Sequence, residues 1–250
     1  MIRNSQIQFA APEEIKKFQE ERLREELCYL ADHSRFYQAM FRNESVDIRD
    51  IRTLEDLRQL PVTTKKDLQQ QNDDFLCVSR REVIDYVTTS GTLGDPVTFA
   101  LTEEDLDRLA YNEALSFATV GCTPDDIIQL MVTIDRRFMA GLAYFLGARK
   151  LGCGVTRVGN GIPELQWDTV RRIAPTACMV IPSFLLKLTD YAEANGFDYR
   201  NCPLRKAICI GEGLRLPDNF ELNTLGRKIQ ERWPELELYS TYASTEMQTS

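Results

Sequence analysis

The order of apolar and polar positions divides the chain into two stretches of different character. Between residues 12 and 41, Ile15, Phe18, Leu23, Leu27, Leu30 and Ala31 recur at helical spacings among many Glu, Lys and Arg side chains. This is the pattern of one amphipathic helix, or two, with a face turned to a core. After Leu60-Pro61-Val62, the run Thr64-Lys65-Lys66-Asp67 sets a hydroxyl three residues before an acid. The two side chains can satisfy each other's backbone amides, so a short helix is expected to begin there. These segments read as scaffold, with Lys65 and Lys66 the functional candidates among them.

From residue 83 the pattern becomes β-rich. Residues 83–89 and 97–101 are expected as two strands around a Ser/Gly/Thr turn, and Thr102-Glu103-Glu104-Asp105 as the cap of a helix reaching about Val120. Strands are then expected at 127–133, 155–158, 177–182, 206–211 and 236–242, separated by helices at 138–150, 163–173, 183–194 and 217–232. Such alternation predicts βαβ units. The expected fold is therefore α/β, with a helical N-terminal preface over residues 1–82. Residues 83–250 follow as a mainly parallel sheet with helices on both faces. Sheets of this kind bind ligands at the carboxyl ends of their strands. Neither a Gly/Ser-rich linker nor an internal repeat interrupts the pattern.

Charge narrows the partners. With 30 basic and 38 acidic side chains in 250 residues, the formal net charge is -8. A broad positive face for nucleic acid or a membrane surface is not expected, so an anionic ligand has to be gripped locally. The longest uncharged stretch, residues 173–186, contains Pro175 and Pro182 and is shorter than the roughly 20 apolar residues of a membrane span. The opening MIRNSQIQFAAPEE has no apolar core before a small-residue cleavage site, so it does not read as a signal peptide, and the cytoplasm is the expected compartment. Seven cysteines without a CxxC pair are expected as buried free thiols rather than disulfides or a zinc cluster. The single histidine, His33, is expected at the surface or its boundary. With no second histidine, multi-histidine metal chemistry is excluded, and with His33 expected at the surface or its boundary, Ser-His-Asp and Cys-His chemistry are not expected.

Three segments carry candidate chemistry. In Thr88-Thr89-Ser90-Gly91-Thr92-Leu93-Gly94-Asp95-Pro96 the glycines allow close backbone approach, and hydroxyls and peptide N-H groups supply donors for a phosphate chain. A polar hairpin turn is the equally weighted alternative. The segment is neither a Walker A loop, which needs Gly-Lys-Ser/Thr at its end, nor a three-glycine dinucleotide fingerprint. Ile208-Cys209-Ile210-Gly211-Glu212-Gly213 is an apolar strand ending in a glycine-bracketed acid, against which a flat ligand can lie; a plain strand-to-helix turn is the simpler reading. Tyr239-Ser240-Thr241-Tyr242-Ala243-Ser244-Thr245-Glu246 closes a β-rich run with an aromatic for stacking, hydroxyls for phosphate and a carboxylate able to hold Mg2+.

In this order and at these separations the three segments resemble the acyl-adenylate-forming (AMP-binding) enzymes, and among them the phenylacetate-CoA ligase branch. TTSGTLGDP resembles that superfamily's phosphate loop, IGEG its adenine-side segment and YASTE its Tyr-Gly-x-[Ser/Thr]-Glu motif. LPVTTKKDL and PTACMVIPSFLLKL resemble segments of the same branch. The resemblance implies that Ser90, Gly91, Thr92 and Gly94, with Thr89 in support, hold the β- and γ-phosphates of ATP. It implies that Gly211, Glu212 and Gly213 line the adenine side with Ser240 and Thr241, and that Tyr242 packs on the adenine ring. Thr245 is then the contact to the α-phosphate and Glu246 the Mg2+ ligand, the two catalytic candidates. Phe138, Ala140 and Gly141 border the acyl pocket, whereas Tyr144 and Phe145 read as helix core.

The activity so implied is ATP-dependent conversion of a carboxylic acid, an aryl acid such as phenylacetate, to an acyl-adenylate and then to a coenzyme A thioester. Transfer to a carrier-protein thiol or an amine, and a nucleotide-binding module without catalysis, are the alternatives. The branch is often dimeric, so a homodimer is an expectation as well. Two residues depart from the family pattern: Asp95 stands where Lys is usual and Ala243 where Gly is usual. The sequence ends four residues after Glu246, before the ribose-binding Asp, the hinge and the small C-terminal domain with its Lys. The expectation is an incomplete large domain.

Overall fold

The computed structural model describes residues 6–89, 91 and 94–247. By its internal contacts the chain forms two compact units, Met1–Thr102 and Glu103–Ser250. The first takes in the helical preface together with the β-hairpin that follows it, so the hairpin groups with the helices rather than with the sheet that the sequence pattern joined it to.

In the first unit, α1 (Pro12–His33) and α2 (Arg35–Asn43) divide the long amphipathic pattern at Ser34. The Ser34 hydroxyl accepts the Tyr37 backbone N-H at 3.3 Å and donates to the Asp74 carbonyl at 3.1 Å, capping α2 and tying it to a later turn. Leu27, Phe41 and Ile51 are buried together, and Phe36 stacks on Phe75 at 3.9 Å. The capping box forms as expected: Thr64 and Asp67 close the start of α3 (Lys65–Gln70). Strands β1 (Asp85–Thr88) and β2 (Thr98–Leu101) then pair antiparallel, with Thr88 opposite Thr98.

The second unit begins with α4 (Glu103–Thr119) and continues through β3 (Ile127–Leu130), α5 (Met139–Leu151), β4 (Gly154–Arg157), α6 (Pro163–Ile173), β5 (Ala177–Val180), α7 (Pro182–Ala194), β6 (Lys206–Cys209), α8 (Thr224–Arg232) and β7 (Glu237–Ser240). The five strands form one parallel sheet in the order β4-β3-β5-β6-β7. Alternate residues feed opposite faces. Cys178, Val180, Ala207 and Cys209 join Trp167, Leu185, Leu188, Ile229 and Trp233 from α6, α7, α8 and the residue after it. Ala177, Met179 and Ile208 join Phe117, Tyr144 and Ala148 from α4 and α5. Both faces are covered, as the near-continuous apolar strands require.

Two expectations need correction. The helix expected at 217–232 begins only at Thr224. Arg215 pairs antiparallel with Leu222 across a small turn through Pro217, and the helix starts only once Asn223 caps the Gly226 amide at 2.9 Å. The strands expected to end at 133, 182, 211 and 242 stop at Leu130, Val180, Cys209 and Ser240. Met131, Ile210 and Thr241 still donate one ladder bond each, and the residues after them leave the sheet at its carboxyl edge. Among the described residues, no helix is long and apolar enough to cross a membrane.

Candidate functional site

The carboxyl edge of the sheet is built by register. Val180 lies opposite Cys209, and Cys209 opposite Ser240, so β5, β6 and β7 end level with one another. The ladder closes with Ile210 N-H donating to the Val180 carbonyl and Thr241 N-H to the Cys209 carbonyl, both at 3.0 Å. Beyond it, three connections emerge side by side: Pro182-Ser183 entering α7, the turn Gly211-Glu212-Gly213, and Thr241-Tyr242. The structure therefore brings together Gly211, Glu212, Gly213, Ser240, Thr241 and Tyr242 on adjacent strand ends.

Within this edge Gly211, Glu212, Gly213 and Ser240 are exposed and Thr241 is half-buried. Tyr242 is 76% exposed, leaving its ring free to cover a flat ligand. The Glu212 carboxylate accepts the Ser183 backbone N-H at 2.8 Å and the Ser183 hydroxyl at 2.9 Å. Behind the turn, burial first and then the charge of Glu212 push the Cys209 thiol up to about 12, so it is an inert core group rather than a nucleophile. Further along, Thr245 is half-buried and Glu246 exposed. The Ser244 hydroxyl donates to Glu246 Oε2 at 2.7 Å, and among the described residues no hydrogen bond is made to the other carboxylate oxygen. Among the described residues no cluster of three His, Cys, Asp or Glu could enclose a metal. The donor set fits an ion held by one carboxylate and a ligand's phosphates, which is the usual habit of Mg2+.

Phe138, Ala140 and Gly141 lie at the start of α5, after β3. Phe138 precedes the helix and is 36% exposed, while Ala140 is half-buried against the core. Gly141 is a close-approach position: a Cβ there would lie 1.9 Å from the Thr133 carbonyl oxygen and 2.7 Å from the Ile134 Cα. Tyr144 is buried in the core, where burial first and then Glu113 raise its hydroxyl well above the usual tyrosine range. Phe145 packs against the same cluster.

The phosphate-loop candidate belongs to the first unit. Ser90 and Thr92 lie outside the described residues. At the loop's base Thr89 is buried; its N-H donates to the Val97 carbonyl, and its hydroxyl oxygen accepts the Val97 N-H, each at 3.0 Å. Gly91 has φ +70° and Gly94 φ +124°, and Gly94 N-H donates to the Gly91 carbonyl at 3.3 Å. At Gly91 a Cβ would also lie 2.9 Å from the Pro96 ring. A residue with a side chain does not fit such a turn. The loop is braced by residues that the sequence pattern had not singled out. Gln69 donates its amide to the Asp95 carbonyl, and Asn72 donates to the Thr98 carbonyl at 2.9 Å. Both lie just past the LPVTTKKDL segment, Gln69 on α3 and Asn72 two residues beyond its end. Lys65 and Lys66 stand on that helix.

Elsewhere the cysteines are free, five of them buried, with Cys77 half-buried and Cys28 exposed. His33 is exposed at the end of α1, its ring stacked on Tyr29 at 4.5 Å.

No protein-family model matches the chain. It is 32% identical to phenylacetate-coenzyme A ligase of Escherichia coli strain K12 over 213 residues, covering 83% of this chain and 48% of that protein. It is 31% identical over 200 residues to the Pseudomonas putida protein of the same name, covering 80% and 45%. A solved structure of 2-hydroxyisobutyryl-CoA ligase in complex with 2-HIB-AMP and CoA superposes with a TM-score of 0.86 over 99% of this chain and 54% of that one, at 22% identity. The fold, the order of the three segments and these relatives point the same way: the chain is similar to the acyl-adenylate-forming enzymes. Within that class its similarity is to the phenylacetate-CoA ligase branch. The chain spans about half the length of the curated relatives it matches.

Proposed function

We propose that the chain supplies the nucleotide-handling part of an AMP-forming acid-thiol ligase, which activates a carboxylic acid with ATP and passes the acyl group to coenzyme A. The acid is an aryl acid, in line with the relatives' phenylacetate. The observation that carries the reading is the level ending of β5, β6 and β7, which sets Gly211-Glu212-Gly213 beside Thr241-Tyr242.

In this reading, Gly211, Glu212, Gly213, Ser240 and Thr241 line the adenine side, and the exposed Tyr242 ring covers it. Thr89, Ser90, Gly91, Thr92 and Gly94 serve the β- and γ-phosphates, Thr245 the α-phosphate and Glu246 the Mg2+ ion. Phe138, Ala140 and Gly141 border the acid. A carboxylate oxygen of the acid bonds to the α-phosphorus as the bond to pyrophosphate breaks. The thiol sulfur then bonds to the acyl carbon, AMP leaves and the thiol proton passes to solvent. Positioning and charge neutralisation carry both steps, so no protein nucleophile is required. Mg2+ supplies charge neutralisation when bound. The same reading makes the protein cytoplasmic and dimeric.

Asp95 favours a second reading. An exposed acid beside Gly94 repels a triphosphate, as suits a module that holds a nucleotide without turnover. Isothermal titration with AMP, followed by pyrophosphate release with ATP and aryl acids in the presence and absence of CoA, separates the two. AMP binding with acid-dependent pyrophosphate release, lowered by Glu246→Gln, supports the ligase. AMP binding without release in any condition supports the module, and a chain that binds no AMP defeats both.

A further inference from the structure

The turn after β6 is held by side chains from two helices. On one flank, both oxygens of Glu212 are taken by Ser183, the second residue of α7. The carboxylate thus satisfies an amide that the helix itself leaves open and faces the positive end of a 13-residue helix. On the other flank, Asn223 Nδ2 donates to the Gly213 carbonyl at 2.7 Å, and Asn223 N-H donates to the Leu214 carbonyl at 2.8 Å. The same side chain caps α8 through its Oδ1. Between these ties, among the described residues, the amides of Gly211, Glu212 and Gly213 donate no backbone hydrogen bond. A Cβ at Gly211 or Gly213 would meet nothing within 4 Å. The turn is open at its backbone and fixed at its side chains.

We propose that Ser183 and Asn223 are positioning residues for residues 211–213, and that Glu212 acts on a bound nucleotide through Ser183 rather than by touching it. Both Glu212 oxygens accept from Ser183, one of them from the backbone amide at the start of α7, so the carboxylate is engaged at the helix terminus. The proposal rests on the reading of this edge as the adenine side; it adds Ser183 and Asn223 to that reading and gives the Glu212 carboxylate a supporting role behind the lining backbone.

The test uses the full chain and AMP alone, measured by isothermal titration. Hydrogen bonds to charged groups are worth enough that Ser183→Ala and Glu212→Ala are each expected to weaken binding by about ten-fold. Because the two act as one strut, the double variant is expected to lose no more than either. Glu212→Gln, which keeps a carbonyl oxygen for the Ser183 amide, is expected to recover most of the loss. Asn223→Asp keeps an acceptor for the Gly226 amide but not the donor to Gly213, and is expected to weaken binding while α8 stays capped. Loss in Glu212→Ala with Ser183→Ala unchanged overturns the proposal and makes Glu212 a direct ligand; unchanged affinity in Asn223→Asp removes Asn223 from it. A second readout needs no nucleotide: hydrogen exchange of the bonded amides that flank the turn, Ile210 N-H on the Val180 carbonyl and Asn223 N-H on the Leu214 carbonyl, is expected to speed up equally in Ser183→Ala, Glu212→Ala and the double variant. Unchanged exchange overturns the strut even if AMP binds, whereas a wild-type chain that binds no AMP but shows this exchange pattern defeats the functional reading alone. If Glu212→Ala does not fold, Ser183→Ala and Glu212→Gln carry both measurements.

Discussion

Replacing Gly141 by Ala is the most demanding test of how the start of α5 is seated. The added Cβ would stand 1.9 Å from the Thr133 carbonyl oxygen and 2.8 Å from its carbon. An ordinary carbon-to-oxygen contact is about 3.3–3.6 Å, so the helix or the segment after β3 has to move by about 1.4 Å or more. Both partners are backbone, and no rotamer change relieves the clash. Overpacking of this kind costs about 1–3 kcal/mol and occasionally more, with a rigid backbone partner at the upper end. Against it stands the gain of about 1 kcal/mol that Ala brings to a helix over Gly. The net expectation is a loss of about 2 kcal/mol, or a fall in Tm of roughly 4–8 °C for a chain of this size. Thermal unfolding followed by circular dichroism reads it. Gly213→Ala is the control: its Cβ meets nothing and its φ is not left-handed, so its stability is expected to stay within about 0.5 kcal/mol of wild type. An unchanged or raised Tm in Gly141→Ala would mean that helix propensity outweighs the contact, and the seating described for α5 would be wrong.

Other expectations follow from single contacts. Thr89→Val preserves shape but strands the buried Val97 N-H, so chemical denaturation should show a loss of about 1–3 kcal/mol; an unaffected midpoint would mean that the loop base relaxes. Asp126 is pushed up by burial, but the Thr176 hydroxyl, the Thr123 amide and Lys206 together outweigh that and hold it below the usual carboxylate range. Its stabilisation is present above the unfolded-state pKa and lost as pH falls through the depressed one. Asp126→Asn should therefore be less stable than wild type at neutral pH and converge with it in acid; a gap that persists in acid would refute the assignment. Under native conditions a thiol reagent followed by mass spectrometry should label Cys28 quickly and Cys77 slowly, and the five buried cysteines only on unfolding. Fast labelling of Cys209 would contradict its place behind the Gly211 turn.

The fold was legible wherever a local pattern decided it. The capping box at Thr64 and Asp67, the helices on either side of the sheet and the strand cores are all set by residues three or four apart, or by alternation. Strand ends were not, because Gly211, Thr241 and Tyr242 are as compatible with a strand as their neighbours, and only the shared level of β5, β6 and β7 ends the ladder. The turn at Pro217 was missed for a related reason: the pairing of Arg215 with Leu222 is a tertiary choice that the apolar spacing of residues 217–232 does not reveal. The site was legible as three strings and as a family resemblance. Its bracing was not, since Glu212 meets Ser183 from 29 positions away and Gln69 meets Asp95 from 26. Nor does the sequence distinguish Gly141 as a pocket wall from Gly141 as a place where a helix rests on a carbonyl.

The occupied end of α7 changes the character of the sheet edge. A free helix N-terminus attracts anions, but here Glu212 already fills it, and an incoming phosphate would find a carboxylate in its place. The positive end of α7 is thereby neutralised from within the fold, and the sheet edge offers open backbone at residues 211–213 in place of a free helix terminus.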